Sequence, residues 1–152
     1  MTTRERYFED VQPGDRFGSD MFRVTEEGMK AFASEFDPQP FHLDAHAAAQ
    51  SDFKELVASG WYTAAVAMRL FVTGELQFAG GCIGLAVDEL RWPDAVRAGD
   101  TLQLETEILE TRRTRSRPNR GIVRLRYVAK NQHGAIVVTF VANTMVQCRS
   151  GG

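Results

Sequence analysis

A segment that is apolar on almost every side is the feature that most constrains the fold of this chain. It covers residues 61–78 and is followed by Gly80 and Gly81, which we expect to end a helix. Its apolar residues include Ala64, Ala65, Val66, Ala67, Met68, Leu70, Phe71 and Val72. A helix of this composition is buried on most of its sides, and its alanines allow neighbouring elements to approach its axis closely. The rest of the chain must therefore supply a surface that surrounds this helix.

Four strand candidates in the second half of the chain can supply that surface. They span residues 82–92, 101–111, 121–131 and 135–147, and turn residues such as Gly99-Asp100 and His133-Gly134 separate them. The third candidate alternates clearly, with Val123, Leu125, Tyr127 and Ala129 on one face and Arg124, Arg126 and Lys130 on the other. Half-buried antiparallel strands have this period. We therefore predict an α+β protein in which a strongly curved antiparallel sheet wraps around the long central helix.

The first half of the chain contains shorter helical patterns. Thr25 is a good N-cap for a helix with an apolar face through Met29, Ala33 and Phe36, and Asp37-Pro38 should end this helix. An alanine-rich stretch at residues 44–50 predicts a further short helix. No linker or composition change divides the 152 residues, so we predict a single domain over residues 1–152.

Charge and cysteine content restrict the class of protein. A net charge of -2 and a pI near 5.9 argue against nucleic-acid binding. Cys82 and Cys148 lack metal-ligand spacing and are interpreted as free thiols, although the sequence leaves a pairing between them open. The charged N-terminal segment, residues 1–6, precedes no apolar stretch, and the apolar run at residues 61–72 contains Arg69 and is too short to span a bilayer. We therefore expect a cytoplasmic protein that binds no membrane.

Residues 37–44 place an acid and an imidazole five positions apart, at Asp37 and His42. Pro38 and Pro40 fix their own backbone angles and favour a stiff, extended connection. A rigid loop that presents both groups suits proton transfer. The alternative is structural, with Asp37 capping a helix end or a turn and His42 packed as an ordinary histidine.

Several motifs give the chain a family resemblance. It resembles the MaoC-like dehydratases of the hotdog fold, a group that includes the (R)-specific enoyl-CoA hydratases. The residues that match are Asp37, Pro40, Phe41, His42 and Asp44, then Ala58-Ser59-Gly60-Trp61, with Phe8-Glu9-Asp10-Val11, Pro13-Gly14-Asp15, Leu90-Arg91-Trp92-Pro93, Gly99-Asp100-Thr101-Leu102 and Asn131-Gln132 with Gly134 elsewhere. Two positions depart from the family pattern: Gln39 replaces an asparagine, and Phe36 replaces a frequent glycine and should reduce the space beside Asp37.

The resemblance implies a hydratase that adds water reversibly to a 2-enoyl-CoA. Asp37 and His42 would be the catalytic acid/base pair, and an aspartate pKa raised by burial beside a neutral imidazole would suit that role. The backbone N–H of Gly60 would face the thioester carbonyl at a helix N-terminus, and glycine would also let the substrate approach the backbone. The further substrate-binding candidates on this chain are Ser59, Gln39, Trp61, Arg117 and Arg120.

Three of these residues also have structural interpretations. Without the family resemblance, Gly60 is better interpreted as a simple turn between helices. Ser59 is favoured as a helix cap over a nucleophile, because no histidine stands at a partner spacing. Asp44 either hydrogen-bonds His42 or caps the alanine-rich helix, and we favour the cap.

An arginine-rich stretch is the strongest charge feature of the chain. Its members are Arg112, Arg113, Arg115, Arg117 and Arg120, with Arg124 and Arg126 beyond. The simplest interpretation is a solvated hairpin tip and the outer face of a strand. Alternatively, some of these guanidinium groups hold the phosphates of coenzyme A. Nucleic-acid binding is disfavoured, because no aromatic residues are interleaved.

The resemblance also implies a substrate class and an oligomeric state. The substrate would be a coenzyme A thioester, with no metal or redox cofactor, and a homodimer, alone or within a larger assembly, would join the two sheets edge to edge with the sites between the subunits. Two other functions remain open: an acyl-CoA thioesterase of the same fold, and a non-catalytic protein that binds acyl thioesters.

Overall fold

A six-stranded antiparallel sheet dominates the computed structural model, which describes residues 4–149. The strands are β1 Glu5–Arg6, β2 Arg16–Phe17, β3 Met21–Arg23, β4 Gln77–Phe78, β5 Ile83–Arg91, β6 Thr101–Arg113, β7 Arg120–Lys130 and β8 Ile136–Gln147. The helices are α1 Glu26–Phe36, α2 Pro40–Leu43, α3 Ala45–Ala49 and α4 Gly60–Val72, with a 3-10 turn at Phe8–Asp10. The four long strands lie within two residues of their predicted bounds.

The strand order of the sheet is β2-β6-β7-β8-β5, and β3 pairs with another part of β6. β1 and β4 form a separate parallel pair. At one edge of the main sheet the short strands β2 and β3 cover β6. The opposite edge is the nine-residue strand β5, which within residues 4–149 pairs only with β8. The α+β class and the antiparallel sheet packed on a long helix are confirmed.

The core lies between the inner face of the sheet and α4. The predicted alternation of β7 is confirmed, since Val123, Leu125, Tyr127 and Ala129 are all buried. Tyr127 stacks on Phe140 of β8 with ring centroids 4.5 Å apart, and it meets Phe71 of α4 edge-on at 4.9 Å. These three rings fix the helix against the sheet.

Helix α4 differs from its prediction in length and in burial. It ends at Val72, and Gly74 then packs against the backbone of Gly18, where an added Cβ would lie 2.9 Å from the Gly18 carbonyl oxygen and 2.7 Å from that of Leu70. It is also not buried all round: Trp61, Ala65, Met68 and Val72 are exposed along one side. The sheet of a single chain covers only the opposite side of this helix.

The segment around the acid and the imidazole is partly helical, which corrects the prediction of an extended connection. Pro40 opens α2, because a proline at the first position of a helix lacks only an N–H that would have no partner there. The predicted caps are confirmed at Thr25, whose side chain accepts from Gly28 N–H, and at Asp44, which accepts from His46 N–H.

Residues 1–3 of the charged N-terminal segment, and residues 150–152 of the predicted domain, lie outside the described residues. Cys82 and Cys148 are free thiols, as predicted. Between residues 4 and 149, no helix combines the length and the apolar character needed to cross a membrane.

Candidate active site

Asp37 lies where α1 ends, and both of its carboxylate oxygens accept hydrogen bonds. Gln39 Nε2 donates to Oδ1 over 2.7 Å, and Ser59 Oγ donates to Oδ2 over 2.7 Å. Helix α1 stops here because Pro38 follows and disfavours a helical conformation at Asp37. The side chain is 18% exposed. Two donors from different parts of the chain thus hold the carboxylate in one orientation.

His42 lies on the buried side of α2, and its neighbours determine its neutral tautomer. Its Nδ1 lies 2.8 Å from the carbonyl oxygen of Val57, which can only accept, so Nδ1 carries the hydrogen. In the neutral ring Nε2 is then a free acceptor, and it lies 3.4 Å from Asp37 Oδ2. The side chain is 6% exposed. The structure therefore brings the two predicted catalytic residues together, with the basic nitrogen directed at the carboxylate.

The pKa of Asp37 is shifted in the opposite direction to the predicted one. The pKa of Asp37 is lowered, chiefly by the hydrogen bond from Ser59, whose effect is larger than the opposing effect of burial; the Gln39 bond and the nearby His42 lower the pKa further. The predicted rise assumed a carboxyl without donors. Because donors to the ionised form outweigh desolvation, Asp37 is a carboxylate at neutral pH.

The start of α4 adjoins this pair. Ser59 is fully buried and is the N-cap of α4, since its Oγ accepts from Trp61 N–H over 3.2 Å while it donates to Asp37. The cap interpretation is therefore confirmed. Its predicted contact with a substrate stays a prediction, and the observed bonds of its hydroxyl are internal.

The Trp92 side chain leaves no room for a side chain at residue 60, so glycine is needed there. An added Cβ would lie 2.7–3.0 Å from ring atoms of Trp92, whose Nε1 donates to the Gly60 carbonyl oxygen over 2.8 Å. The space that the sequence suggested for substrate is filled on that side by an indole ring. Among residues 4–149, no acceptor takes the Gly60 N–H, which is one of the free donors of the helix N-terminus.

A cleft of about 620 Å³ contains these groups. Apolar and aromatic side chains dominate its wall, and polar groups converge at Asp37 and His42, as is usual for a small-molecule site. Its lining residues are Asp37, Gln39, Phe41, His42, Asp52, Phe53, Val57, Ala58, Gly60, Trp61, Thr63, Trp92, Pro93, Asp94, Ala95, Val96 and Arg97. Five of the predicted site residues, including Gln39 and Trp61, thus line one cleft, with Ser59 directly behind it.

Three other residues lie elsewhere. Arg117 is on the β6–β7 hairpin and lines a separate cavity of about 630 Å³, and Arg120 begins β7 without lining the cleft. Their predicted contact with substrate has no support within one chain and stays a prediction. Phe36 does not line the cleft, is 65% exposed and packs on Phe32, so within one chain it does not reduce the space of the cleft.

Trp92 and Arg97 line the cleft although the sequence assigned neither a role in it. Trp92 meets Trp61 edge-on, with centroids 5.2 Å apart, and covers the start of α4. Arg97 lies at the rim beside Glu55. Trp92 stood in a motif that supported the resemblance, so its position was available as a signal. The pairing of Arg97 with a residue 42 positions earlier had no sequence signal.

The family model described as "MaoC like domain" matches residues 9–131. A solved structure of the MaoC-like dehydratase from Rhodospirillum rubrum is 48% identical with a TM-score of 0.91, covering 95% of this chain and 99% of that chain. The R-hydratase PhaJ1 from Pseudomonas aeruginosa is 30% identical with a TM-score of 0.75, covering 94% and 86%. Protein MaoC of Klebsiella aerogenes is 34% identical over 100 residues, which are 65% of this chain but only 29% of that relative.

Proposed function

The chain belongs to the MaoC-like domain family, and we propose that it reversibly adds water to a 2-enoyl-CoA or a related acyl thioester to give a 3-hydroxyacyl thioester. The relation to the R-hydratase and to the MaoC-like dehydratase supports a hydratase or dehydratase activity in general. The observation that carries the specific proposal is the 3.4 Å approach of His42 Nε2 to the Asp37 carboxylate beside the N-terminus of α4.

The pair suits the activation of a water molecule. A water that donates one hydrogen to Asp37 Oδ2 and the other to His42 Nε2 would be held in front of both atoms. As the water oxygen bonds to C3 of the substrate, Nε2 takes the released proton, and the adjacent carboxylate stabilises the imidazolium. Return of that proton from Nε2 to C2 completes the addition and restores the neutral ring. This cycle needs no metal or redox cofactor.

The start of α4 suits the stabilisation of negative charge on the thioester oxygen. Gly60 lines the cleft at the start of α4, its N–H has no acceptor among residues 4–149, and the helix dipole favours a negative charge there. Such a donor is worth about 3 kcal/mol when charge develops on the oxygen. The substrate carbonyl would therefore bind at Gly60, with C3 directed toward the Asp37–His42 pair.

Two substitutions test the assignment. We expect purified protein to hydrate crotonyl-CoA or a longer enoyl-CoA, and Asp37→Asn and His42→Ala each to lower kcat by roughly 10²- to 10⁴-fold, the range of general acid/base catalysis. His46→Ala is the matched control, because His46 is exposed on α3. Circular dichroism establishes whether each variant is folded. Folded variants of both residues that keep full activity would remove the assignment.

Product analysis separates this proposal from the two alternatives. A thioesterase would release free thiol from saturated acyl-CoA, whereas a hydratase leaves the thioester bond intact. A non-catalytic binding protein would be stabilised thermally by coenzyme A esters without turning any of them over. Free thiol without hydration, or binding without turnover across a panel of chain lengths, would replace the hydratase proposal.

A homodimer is part of the proposal. All residues of β5 except Leu90 are exposed, and Ile83, Leu85 and Val87 are large apolar side chains among them. This edge strand has no partner on its outer side within the described chain, and the exposed side of α4 adds further apolar surface. An unpaired apolar edge of this length is normally covered in native proteins. Antiparallel pairing of β5 with β5 of a second copy would cover it.

A further inference from the structure

We propose that Arg97 binds a phosphate group of the thioester carrier at the mouth of the Asp37–His42 cleft, an assignment that rests on the function proposed above. Among the cleft-lining residues of the described chain, Arg97 is the only arginine or lysine. A thioester carried on phosphopantetheine or coenzyme A brings phosphate into reach of the site on a flexible arm. A guanidinium at the rim is the side chain that such a group would bind.

The backbone holds Arg97 at a defined distance from the reacting groups. Its N–H donates to Asp100 Oδ2 over 2.9 Å, and the Asp100 N–H donates back to the Arg97 carbonyl oxygen over 3.1 Å. The preceding residue, Val96, is 2% exposed and accepts from Ala58 N–H over 2.8 Å, two residues before Gly60. Arg97 is therefore fixed to the segment that leads into α4 and is not on an independent loop.

The side chain is oriented but keeps free donors. Arg97 Nε is paired with the Glu55 carboxylate, and Nη1 donates weakly to the Ala95 carbonyl oxygen at 3.4 Å. Within residues 4–149 no acceptor takes Nη2. A guanidinium has five N–H donors, so these two contacts leave at least two for an anion. The side chain is 42% exposed, which leaves it open to a ligand.

The charges around the cleft restrict where a polyanion can lie. The other ionised side chains of the lining are the carboxylates Asp37, Asp52 and Asp94. They repel phosphate, so the carrier arm is favoured only on the Arg97 side. Glu55 offsets part of the Arg97 charge, and a bound phosphate must compete with it. Removing the Glu55 charge should therefore strengthen phosphate binding.

Three thioesters of one acyl group test the assignment. Crotonyl-CoA carries the nucleotide phosphates, crotonyl-phosphopantetheine carries one phosphate, and crotonyl-pantetheine carries none. For Arg97→Gln we expect KM for crotonyl-CoA to rise roughly fivefold, the scale of a partly exposed charge contact, with kcat within twofold. KM for crotonyl-pantetheine should not change. Glu55→Gln should lower KM for crotonyl-CoA and leave crotonyl-pantetheine unaffected.

Arg16→Gln is the matched control, because Arg16 is an exposed arginine on β2 that is paired with Glu105 at 3.2 Å and does not line the cleft. It should leave all three KM values unchanged. An Arg97→Gln effect on crotonyl-phosphopantetheine equal to that on crotonyl-CoA identifies the phosphate next to pantetheine. An effect on crotonyl-CoA alone identifies the nucleotide phosphates. Either result supports the assignment.

Other results overturn it. An equal rise in KM for crotonyl-pantetheine would make Arg97 a structural residue, and no rise for any thioester would exclude the contact. A rise produced by Arg117→Gln or Arg120→Gln, and not by Arg97→Gln, would move the phosphate site to the β6–β7 hairpin. If the wild-type protein turns over none of the thioesters, the proposed hydratase activity fails by itself. Calorimetric titration of wild-type and Arg97→Gln protein with crotonyl-CoA and crotonyl-pantetheine then decides the phosphate contact independently.

Discussion

Substitution of Ser59 by alanine removes the two hydrogen bonds that join the start of α4 to Asp37. The Ser59 hydroxyl donates to Asp37 Oδ2 over 2.7 Å and accepts from Trp61 N–H over 3.2 Å. The residue is fully buried, so water does not replace the hydroxyl without rearrangement. We expect the substitution to destabilise the fold at neutral pH and to raise the pKa of Asp37, because the Ser59 bond is the main cause of its lowered value.

The expected loss has two parts. Removing an N-cap side chain costs about 1 kcal/mol, and removing a hydrogen bond to a charged group costs roughly 1.5–3 kcal/mol. Together they lower the free energy of unfolding by roughly 2–4 kcal/mol at pH 7. The second part depends on the ionisation of Asp37, since its carboxylate is a stronger acceptor than its protonated form.

The pH dependence follows from the direction of the pKa shift. The pKa of Asp37 is lower in the folded protein than in the unfolded chain. Its contribution to stability is therefore complete above the unfolded value, near 3.9, and is lost as the pH falls through the folded value. The cost of Ser59→Ala should accordingly be largest above about pH 5 and smaller by about 1 kcal/mol near pH 3.

Urea denaturation from pH 3 to pH 7, followed by the fluorescence of Trp61 and Trp92, measures this cost. Thr25→Ala is the matched control, because Thr25 caps α1 through Gly28 N–H without contacting Asp37. It should cost about 1 kcal/mol at every pH. A Ser59→Ala cost that does not change with pH, or that equals the control throughout, would refute the electrostatic part of the reasoning.

Two further substitutions test the helix start and the sheet edge. Gly60→Ala places a Cβ within 2.7–3.0 Å of the Trp92 ring, so we expect a loss of about 1–3 kcal/mol of stability and reduced hydratase activity. Thermal unfolding measures the stability and steady-state kinetics the activity. Unchanged values of both would mean that the ring moves freely. Val87→Arg places a charge in the middle of the exposed edge strand β5. Light scattering should then show a monomer for the variant and a dimer for the wild type. A wild-type monomer at micromolar concentration would contradict the proposed pairing.

Local patterns predicted most of the fold. The strands β6 and β7 show a period of two in their burial, because one face of each is buried. β8 has adjacent buried residues and was bounded by the turn at His133-Gly134 instead. The caps at Thr25 and Asp44 follow from side-chain chemistry that acts over two or three residues. The sequence pattern extended α4 as far as Gly80-Gly81, whereas the helix ends at Val72, beside a contact of Gly74 with Gly18 from a distant part of the chain.

The burial of α4 was overestimated for a related reason. Its composition predicts burial on most sides, whereas in the single chain Trp61, Met68 and Val72 form an exposed stripe. The sequence does not distinguish surface covered by the same chain from surface covered by a second copy. The proposed dimer through β5 and α4 reconciles the composition of the helix with its exposure.

At the site, too, local sequence motifs were predicted better than contacts between distant residues. Spacing and family resemblance identified Asp37, His42 and Gly60, since these residues are adjacent to recognisable motifs. The pKa shift of Asp37 was predicted in the wrong direction. Desolvation was considered without the hydrogen bonds from Ser59 and Gln39, which lie 22 and 2 residues away in the sequence. Arg97 was missed, because its place at the cleft depends on the fold of the loop after β5.

The lowered pKa of Asp37 has a consequence for the division of labour in the proposed reaction. A carboxylate that is held ionised by two donors is a poor proton acceptor at neutral pH, because protonation would weaken both bonds. His42 Nε2 is the atom left to take the water proton, and the Val57 carbonyl keeps that nitrogen free of hydrogen in the neutral ring. Asp37 then acts by orienting the water and stabilising the imidazolium. The departure at Gln39 fits this assignment, since its longer amide still reaches the carboxylate.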